Sequence, residues 1–147
     1  MLATSLPPKT LAAGIVVVCR DDARYRVLCL RAFDSWDFPK AQVLGDSDPL
    51  ATALAELQDA TGIHELEFFW GEDYRETVPY ADGRVSRYYL AQARSPDVAL
   101  RTPSGADGAE DHEYRWVTCS EAEDILPPRL ALVLDWVIAR LAGGRGR

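Results

Sequence analysis

The sequence predicts an α+β fold in which a mixed β-sheet is sandwiched between α-helices. Runs rich in β-branched and aromatic residues, separated by turn residues, indicate several strands along the chain. An amphipathic helix with clear start and stop signals interrupts these runs, and a second amphipathic stretch lies near the C-terminus. At 147 residues the chain is long enough for one domain with a substantial core. We expect a flexible arm over residues 1–10, a single domain over 11–142 and a disordered tail over 143–147.

The N-terminal part of that domain reads as a pair of strands. Residues 11–20 and 24–33 are apolar β-rich runs, and Asp21-Asp22-Ala23 separates them as a hairpin-like turn. A short extended piece follows over residues 36–39. It leads into a loop that contains Lys40.

The helix after this loop has recognisable signals at both ends. Asp48 is a suitable N-cap, and Pro49 stands at the first helical position, where its missing N–H costs nothing. Gly62 can adopt the left-handed conformation that ends a helix. The predicted helix therefore covers residues 49–61. Its apolar residues recur at helical spacing and form a face for the core: Leu50, Ala53, Leu54, Leu57 and Thr61.

The C-terminal half alternates further strands with two helices. An Asp-Gly turn at residues 81–83 predicts a hairpin. Ser120 and Glu123 have the spacing of a capping box for a short helix. Residues 102–111 are rich in Gly, Ser, Pro and acidic residues, which predicts a surface loop. The remaining predicted elements are strands at 66–70, 74–80, 84–93, 97–101 and 112–117, and a helix at 129–142.

Composition and charge exclude several classes of function. The net charge of −7 argues against wrapping of nucleic acid, which needs a basic surface, but allows a local basic pocket for a small phosphorylated ligand. The three cysteines lack the spacing of a disulfide scaffold, so we expect reduced thiols in a cytoplasmic protein. The sequence contains neither an apolar run long enough to span a membrane nor a signal peptide, so no membrane partner is expected.

The stretch from Trp36 to Ile63 resembles the Nudix box, whose pattern is G-x5-E-x7-R-E-u-x-E-E-x-G-u, where u is aliphatic. Without any gap, the pattern matches at one key carboxylate and three further positions: Glu56, Leu57, Gly62 and Ile63. Asp59 stands where the family has a longer glutamate. Four positions depart from the pattern, so the box is degenerate: Ala41, Ser47, Ala55 and Ala60.

Segments outside the box extend the resemblance to the asymmetric diadenosine tetraphosphate hydrolases of the Nudix superfamily. Residues 12–17 look like the first strand of that family, and residues 36–40 like the run into the box. Residues 86–91 and 110–116 resemble two later segments. Order and spacing agree over residues 11–141, so the Nudix fold is expected for nearly the whole chain.

The resemblance implies a set of site residues. Glu56, Asp59 and Glu110 would bind Mg²⁺ or Mn²⁺, and Glu56 would also serve as the catalytic base. Tyr88 matches the tyrosine on which the family stacks adenine, and Lys40 lies beside the phosphate chain. Each residue also has an ordinary structural interpretation: solvated carboxylates, an exposed loop lysine and a packed strand tyrosine.

The departures from the box affect the metal site most. Ala60 stands where the family has a metal-binding carboxylate, and Ala55 where it has an arginine that orients the acids. Because residues 56, 59 and 60 share one helical turn, we expect Ala60→Glu to add a third carboxylate to the pair and raise metal affinity.

The function that the resemblance implies is hydrolysis of a nucleoside diphosphate linked to another group, with a dinucleoside polyphosphate as the expected substrate. A metal-bound water would attack phosphorus, with weak or altered activity because of the degenerate box. The alternatives are a non-catalytic Nudix domain that senses a nucleotide and a protein-interaction module.

Overall fold

The structure is a computed structural model that describes residues 10–101 and 113–144. Its strands are β1 (Leu11–Asp21), β2 (Arg24–Ala32), β3 (Ser35–Asp37), β4 (Lys40–Gln42), β5 (Leu66–Glu67), β6 (Tyr74–Glu76), β7 (Val85–Ala93) and β8 (Glu113–Val117). Its helices are α1 (Pro49–Thr61), α2 (Cys119–Ile125) and α3 (Ala131–Ala142), and a 3₁₀ turn at Pro128–Leu130 precedes α3.

Strand β1 organises the sheet. It pairs in parallel with β7 along most of its length and antiparallel with β2 on the other side. Near its start, where β2 has diverged, β4 pairs with it instead. Strand β2 also pairs with β3 and β8, and β7 with β5 and β6, all antiparallel. The sheet is therefore mixed, as the sequence predicted.

Alternating side chains of the two long central strands contribute to two separate cores, because successive strand residues point to opposite faces. One core packs under α1 and includes Ile15, Val17, Leu28, Leu57 and Tyr89. The other packs against α2 and α3 and includes Val16, Val18, Val27, Tyr88 and Leu134. This arrangement confirms the predicted sheet between two helical layers.

Helix α1 has the predicted bounds and the predicted caps. The Asp48 carboxylate accepts a hydrogen bond from the Ala51 N–H at 2.9 Å, and Pro49 occupies the first turn. Gly62 has φ +78° and donates its N–H to the Gln58 carbonyl at 2.8 Å. Local signals therefore suffice for this helix.

Two predicted elements near the site are different in the structure. Lys40 lies in strand β4 rather than in a loop, because the run after Pro39 pairs with β1. The stretch 97–101 is not a strand. Its N–H groups at Ala99 and Arg101 bond the carbonyls of Thr61 and Ala60, at 2.9 and 3.0 Å, so it covers the C-terminal turn of α1.

The predicted capping box at Ser120 and Glu123 is wrong by two residues. Thr118 is the N-cap of α2, and the Glu121 side chain accepts a hydrogen bond from the Thr118 N–H at 2.9 Å. The same spacing of hydroxyl and glutamate occurs twice here. The earlier pair prevails because the helix begins directly after β8 and thereby buries Ala122.

Several predictions concern residues outside the described ranges: most of the N-terminal arm, the 102–111 loop, Glu110 and most of the tail. The three cysteines are free thiols, and Cys29 is buried in the core on the α3 side. Burial is the main reason why the pKa of Cys29 rises to about 12.

Gly14 allows β4 to cross close to β1. The Pro39 carbonyl accepts the Ile15 N–H at 3.1 Å. A Cβ on residue 14 would collide with the Pro39 carbonyl oxygen and would lie 2.8 Å from Lys40 Cβ. Only glycine permits this approach, and the approach fixes where Lys40 leaves the sheet.

We therefore expect Gly14→Ala to lower the free energy of unfolding by about 1–3 kcal/mol, the usual cost of overpacking. Urea unfolding followed by circular dichroism measures the change. Gly143→Ala is the matched control, because Gly143 has φ −78° and its added Cβ meets nothing closer than 3.4 Å. Equal effects of the two substitutions would contradict the close-approach argument.

Candidate functional site

Helix α1 presents the two predicted carboxylates on its outer face. Glu56 and Asp59 are three residues apart and so lie side by side. The Glu56 side chain is only 15% exposed, whereas that of Asp59 is 74% exposed. Two neighbouring carboxylates repel each other unless a cation lies between them.

Arg101 supplies that cation. Its Nη2 donates to Glu56 Oε2 at 2.6 Å and its Nη1 to Asp59 Oδ2 at 3.0 Å. The backbone of Arg101 is anchored to the Ala60 carbonyl, so the guanidinium approaches from a fixed base. Sequence reasoning missed this residue. The contact spans more than 40 positions, and no local pattern marks it.

A second cluster of charges surrounds Asp37 at the end of β3. Its Oδ2 accepts from Lys40 Nζ at 2.8 Å and from Arg129 Nη2 at 2.9 Å. Its Oδ1 accepts from the Tyr88 hydroxyl at 2.7 Å and from the Phe38 N–H at 2.6 Å. The side chain is 17% exposed, so this carboxylate fixes the charged ends of both cations.

The two clusters face one cavity of about 260 Å³. Among the residues that the structure describes, its charged lining consists of Asp37, Lys40, Glu56, Arg101 and Arg129. The structure thus brings together two of the residues predicted from sequence, Lys40 and Glu56, and adds two arginines that were not predicted. Among the described residues, three cationic side chains and two carboxylates line this cavity, and the excess of cations favours an anionic ligand.

A second cavity, of about 160 Å³, shares the lining residue Lys40 with the first. Tyr80 and Arg84 form part of its wall. Two cations lie near the Tyr80 ring: Lys40 Nζ is 5.7 Å from the ring centroid and the Arg129 guanidinium carbon is 4.7 Å from it. Burial raises the pKa of Tyr80, but its hydrogen bond with Ser86 and these positive charges outweigh burial, and the pKa is lowered.

Tyr88 is fully buried, which argues against its predicted role as a platform for a base. Its ring packs edge-on against Phe38, with centroids 5.4 Å apart, and no face is exposed for stacking. Burial, followed by the nearby charge of Asp37, raises the pKa of its hydroxyl well above the ordinary value. Tyr88 therefore acts on the site through its bond to Asp37.

The described residues do not fit a metal site of the expected kind. Within residues 10–101 and 113–144, no three acidic, histidine or cysteine side chains are grouped so that they could hold an ion. Glu56 and Asp59 are paired with Arg101, and the third box position, Ala60, is fully buried in the core beneath α1. The remaining predicted ligand, Glu110, lies outside the described residues.

Comparison with known proteins agrees with the resemblance read from the sequence. The family model of the NUDIX domain matches residues 8–138. Asymmetrical bis(5'-nucleosyl)-tetraphosphatase of Rattus norvegicus is 29% identical over 124 residues, covering 76% of this chain and 80% of the relative. The same enzyme of Mus musculus is 27% identical with the same coverage.

Solved structures share the fold. The Ap4A hydrolase of C. elegans, in a binary complex, superposes with a TM-score of 0.73 at 23% identity, covering 91% of this chain and 98% of that one. The NUDIX domain of Shewanella oneidensis NrtR, complexed with ADP ribose, gives a TM-score of 0.71 at 15% identity, covering 96% and 94%. In the part of the chain that the structure describes, no helix is long and apolar enough to cross a membrane.

Burial of Ala60 reverses the expectation for Ala60→Glu. The new carboxylate would lie beneath the 97–101 segment among apolar side chains, rather than beside Glu56. We expect the free energy of unfolding to fall by about 3 kcal/mol or more, because an unpaired charge is buried. Ala55→Glu, on the exposed face of the same helix, is the control and should change it by less than about 0.5 kcal/mol. A stable Ala60→Glu protein with raised metal affinity would restore the original expectation.

Asp37→Asn tests the second cluster. The amide keeps the shape but loses the charge that pairs with Lys40 and Arg129, so we expect a loss of about 2–4 kcal/mol of unfolding free energy. Asp73→Asn is the matched control, because Asp73 pairs with Arg140 at 3.1 Å but is 68% exposed. Chemical denaturation of both variants gives the comparison. A loss at Asp37 no larger than that at Asp73 would mean that the cluster does not stabilise the fold.

Proposed function

This chain belongs to the Nudix family, and we propose that it binds a dinucleoside polyphosphate, with the phosphate chain in the cavity between β3, β4 and α1. The observation that carries the proposal is the convergence of Lys40 and Arg129 on that cavity, with Arg101 paired to Glu56 in the same wall. Guanidinium and ammonium groups are the usual protein partners of phosphate oxygens.

The cationic groups are held ready for a ligand. Asp37 fixes the ends of Lys40 and Arg129, so little side-chain freedom is lost when an anion binds. Among the described residues, Nη1 of Arg129 is buried and has no hydrogen-bond partner. That N–H is a donor for a phosphate oxygen, and a ligand that accepts it relieves the cost of an unsatisfied buried group.

The extent of the site favours a ligand that carries a nucleoside at each end of its phosphate chain. Lys40 lines both cavities, so a ligand that contacts this residue can extend toward Glu56 on one side and toward Tyr80 on the other. Asymmetrical tetraphosphatases among the relatives point to the same class of ligand.

Hydrolysis of the bound nucleotide is the second candidate. It is favoured by the position of Glu56 in the cavity wall and by the names of the relatives. Glu56 is the group that would accept a proton from water, a role worth roughly 10²–10⁴-fold in rate. Its carboxylate, however, already accepts a hydrogen bond from Arg101 Nη2 at 2.6 Å. We therefore place binding first, and metal-dependent hydrolysis remains a prediction.

Calorimetric titration with diadenosine tetraphosphate tests the binding. Lys40→Gln should weaken the affinity by roughly tenfold, because one charged contact with phosphate is lost. Arg140→Gln is the control, since Arg140 is also ion-paired but lies outside both cavities. Absence of binding heat would favour the protein-interaction alternative, and an equal loss in both variants would remove Lys40 from the site.

Chromatographic analysis of the same mixtures, incubated with Mg²⁺ or Mn²⁺, separates the two candidates. Binding without product supports a nucleotide-binding domain. Product that disappears in Glu56→Gln would establish the hydrolase and would reverse the order of the two candidates.

A further inference from the structure

The acidic pair on α1 already has a cation. Arg101 forms one short charge-assisted bond to each carboxylate, 2.6 Å to Glu56 and 3.0 Å to Asp59. The two acids are thereby held together on the helix face, although residue 55 of the same helix is alanine. From its place between the two acids, the guanidinium offsets one of their two negative charges, where a divalent ion would offset both.

A metal ion would have to displace this guanidinium to reach the acids. It would break both ion pairs and, among the described residues of this helix, would gain two carboxylates, because residue 60 offers a buried methyl group. Mg²⁺ requires near-octahedral oxygen coordination and gives up its waters reluctantly. The exchange therefore loses well-formed contacts and gains few.

We propose that Arg101 replaces the divalent metal ion at this helix, so that the cavity takes the phosphate chain of its nucleotide without one. This inference rests on the proposed function and adds that the nucleotide binds without a metal ion. Without a cation, Glu56 would repel an anion that enters the cavity. Arg101 cancels that repulsion with a charge that belongs to the chain itself.

The position of Arg101 suits such a permanent role. Its N–H is bonded to the Ala60 carbonyl at the end of α1, and its side chain is 28% exposed, so the guanidinium is held at the helix rather than in solvent. Lys40 and Arg129 remain available for phosphate, because their common partner is Asp37.

Two measurements on the unaltered protein test the inference. Titration of Mn²⁺ followed by electron paramagnetic resonance should detect no bound ion at millimolar concentration. Calorimetry with diadenosine tetraphosphate should give the same affinity, within about threefold, in EDTA and in Mg²⁺. Stoichiometric Mn²⁺ binding at the acids, or nucleotide binding that requires Mg²⁺, would overturn the inference and leave the proposed function standing. No binding under either condition would overturn both.

Variants of the pair test the neutralising role itself. Arg101→Gln should weaken metal-free binding by about tenfold, because Glu56 is left uncompensated. Adding Glu56→Gln to that variant should restore the affinity to within about threefold of the original, since the repulsion is gone. Arg94→Gln is the matched control, because Arg94 pairs with Glu67 at 2.6 Å outside the cavity. The affinity of this variant for the nucleotide should not change.

Failure of the double variant to recover would place Arg101 directly on the phosphate and overturn the neutralising role. Circular dichroism melting of each variant ensures that folded proteins are compared. If Arg101→Gln does not fold, the single variant Glu56→Gln decides. An affinity for diadenosine tetraphosphate in EDTA that rises or stays equal supports the neutralising role of Arg101. A loss of affinity of tenfold or more contradicts that role.

Discussion

The site depends on the carboxylate of Asp37. It joins three parts of the chain that are far apart in sequence: the end of β3, the buried Tyr88 of β7, and Arg129 in the turn before α3. Because the group is mostly buried, each bond it accepts offsets part of the cost of removing its charge from water. The same bonds set the positions of Lys40 and Arg129, so the fold and the charge of the cavity have a common origin.

The second cluster is built on a different principle. Glu56 and Asp59 lie on a helix whose caps and apolar face fix it firmly, but their counter-ion comes from an irregular segment. That segment bonds the last carbonyls of α1, which would otherwise be unsatisfied at the helix end. Helix termination and charge neutralisation are thus achieved by the same few residues, 99–101.

Sequence reasoning succeeded where the signals are local. The cap at Asp48, the proline beside it and Gly62 define α1 without reference to the rest of the fold. It failed where the answer depends on tertiary contacts: nothing in the sequence joins Arg101 to Glu56, or Arg129 to Asp37.

Tyrosines 88 and 89 illustrate the same limit on the predicted site. Neighbouring strand residues point to opposite faces, and the pattern alone does not say which face is open. In the structure both rings are buried, one in each core, whereas Tyr80, which sequence reasoning passed over, borders a cavity.

The cation of the α1 acid pair sits at residue 101 and not at residue 55, and this has a consequence for classification. A search that scores the box as a contiguous string finds alanine at residue 55 and counts a lost arginine. A search that scores spatial neighbours finds a guanidinium within 3.0 Å of both acids. For this chain, three-dimensional proximity shows a cation beside the acid pair that the contiguous string does not show.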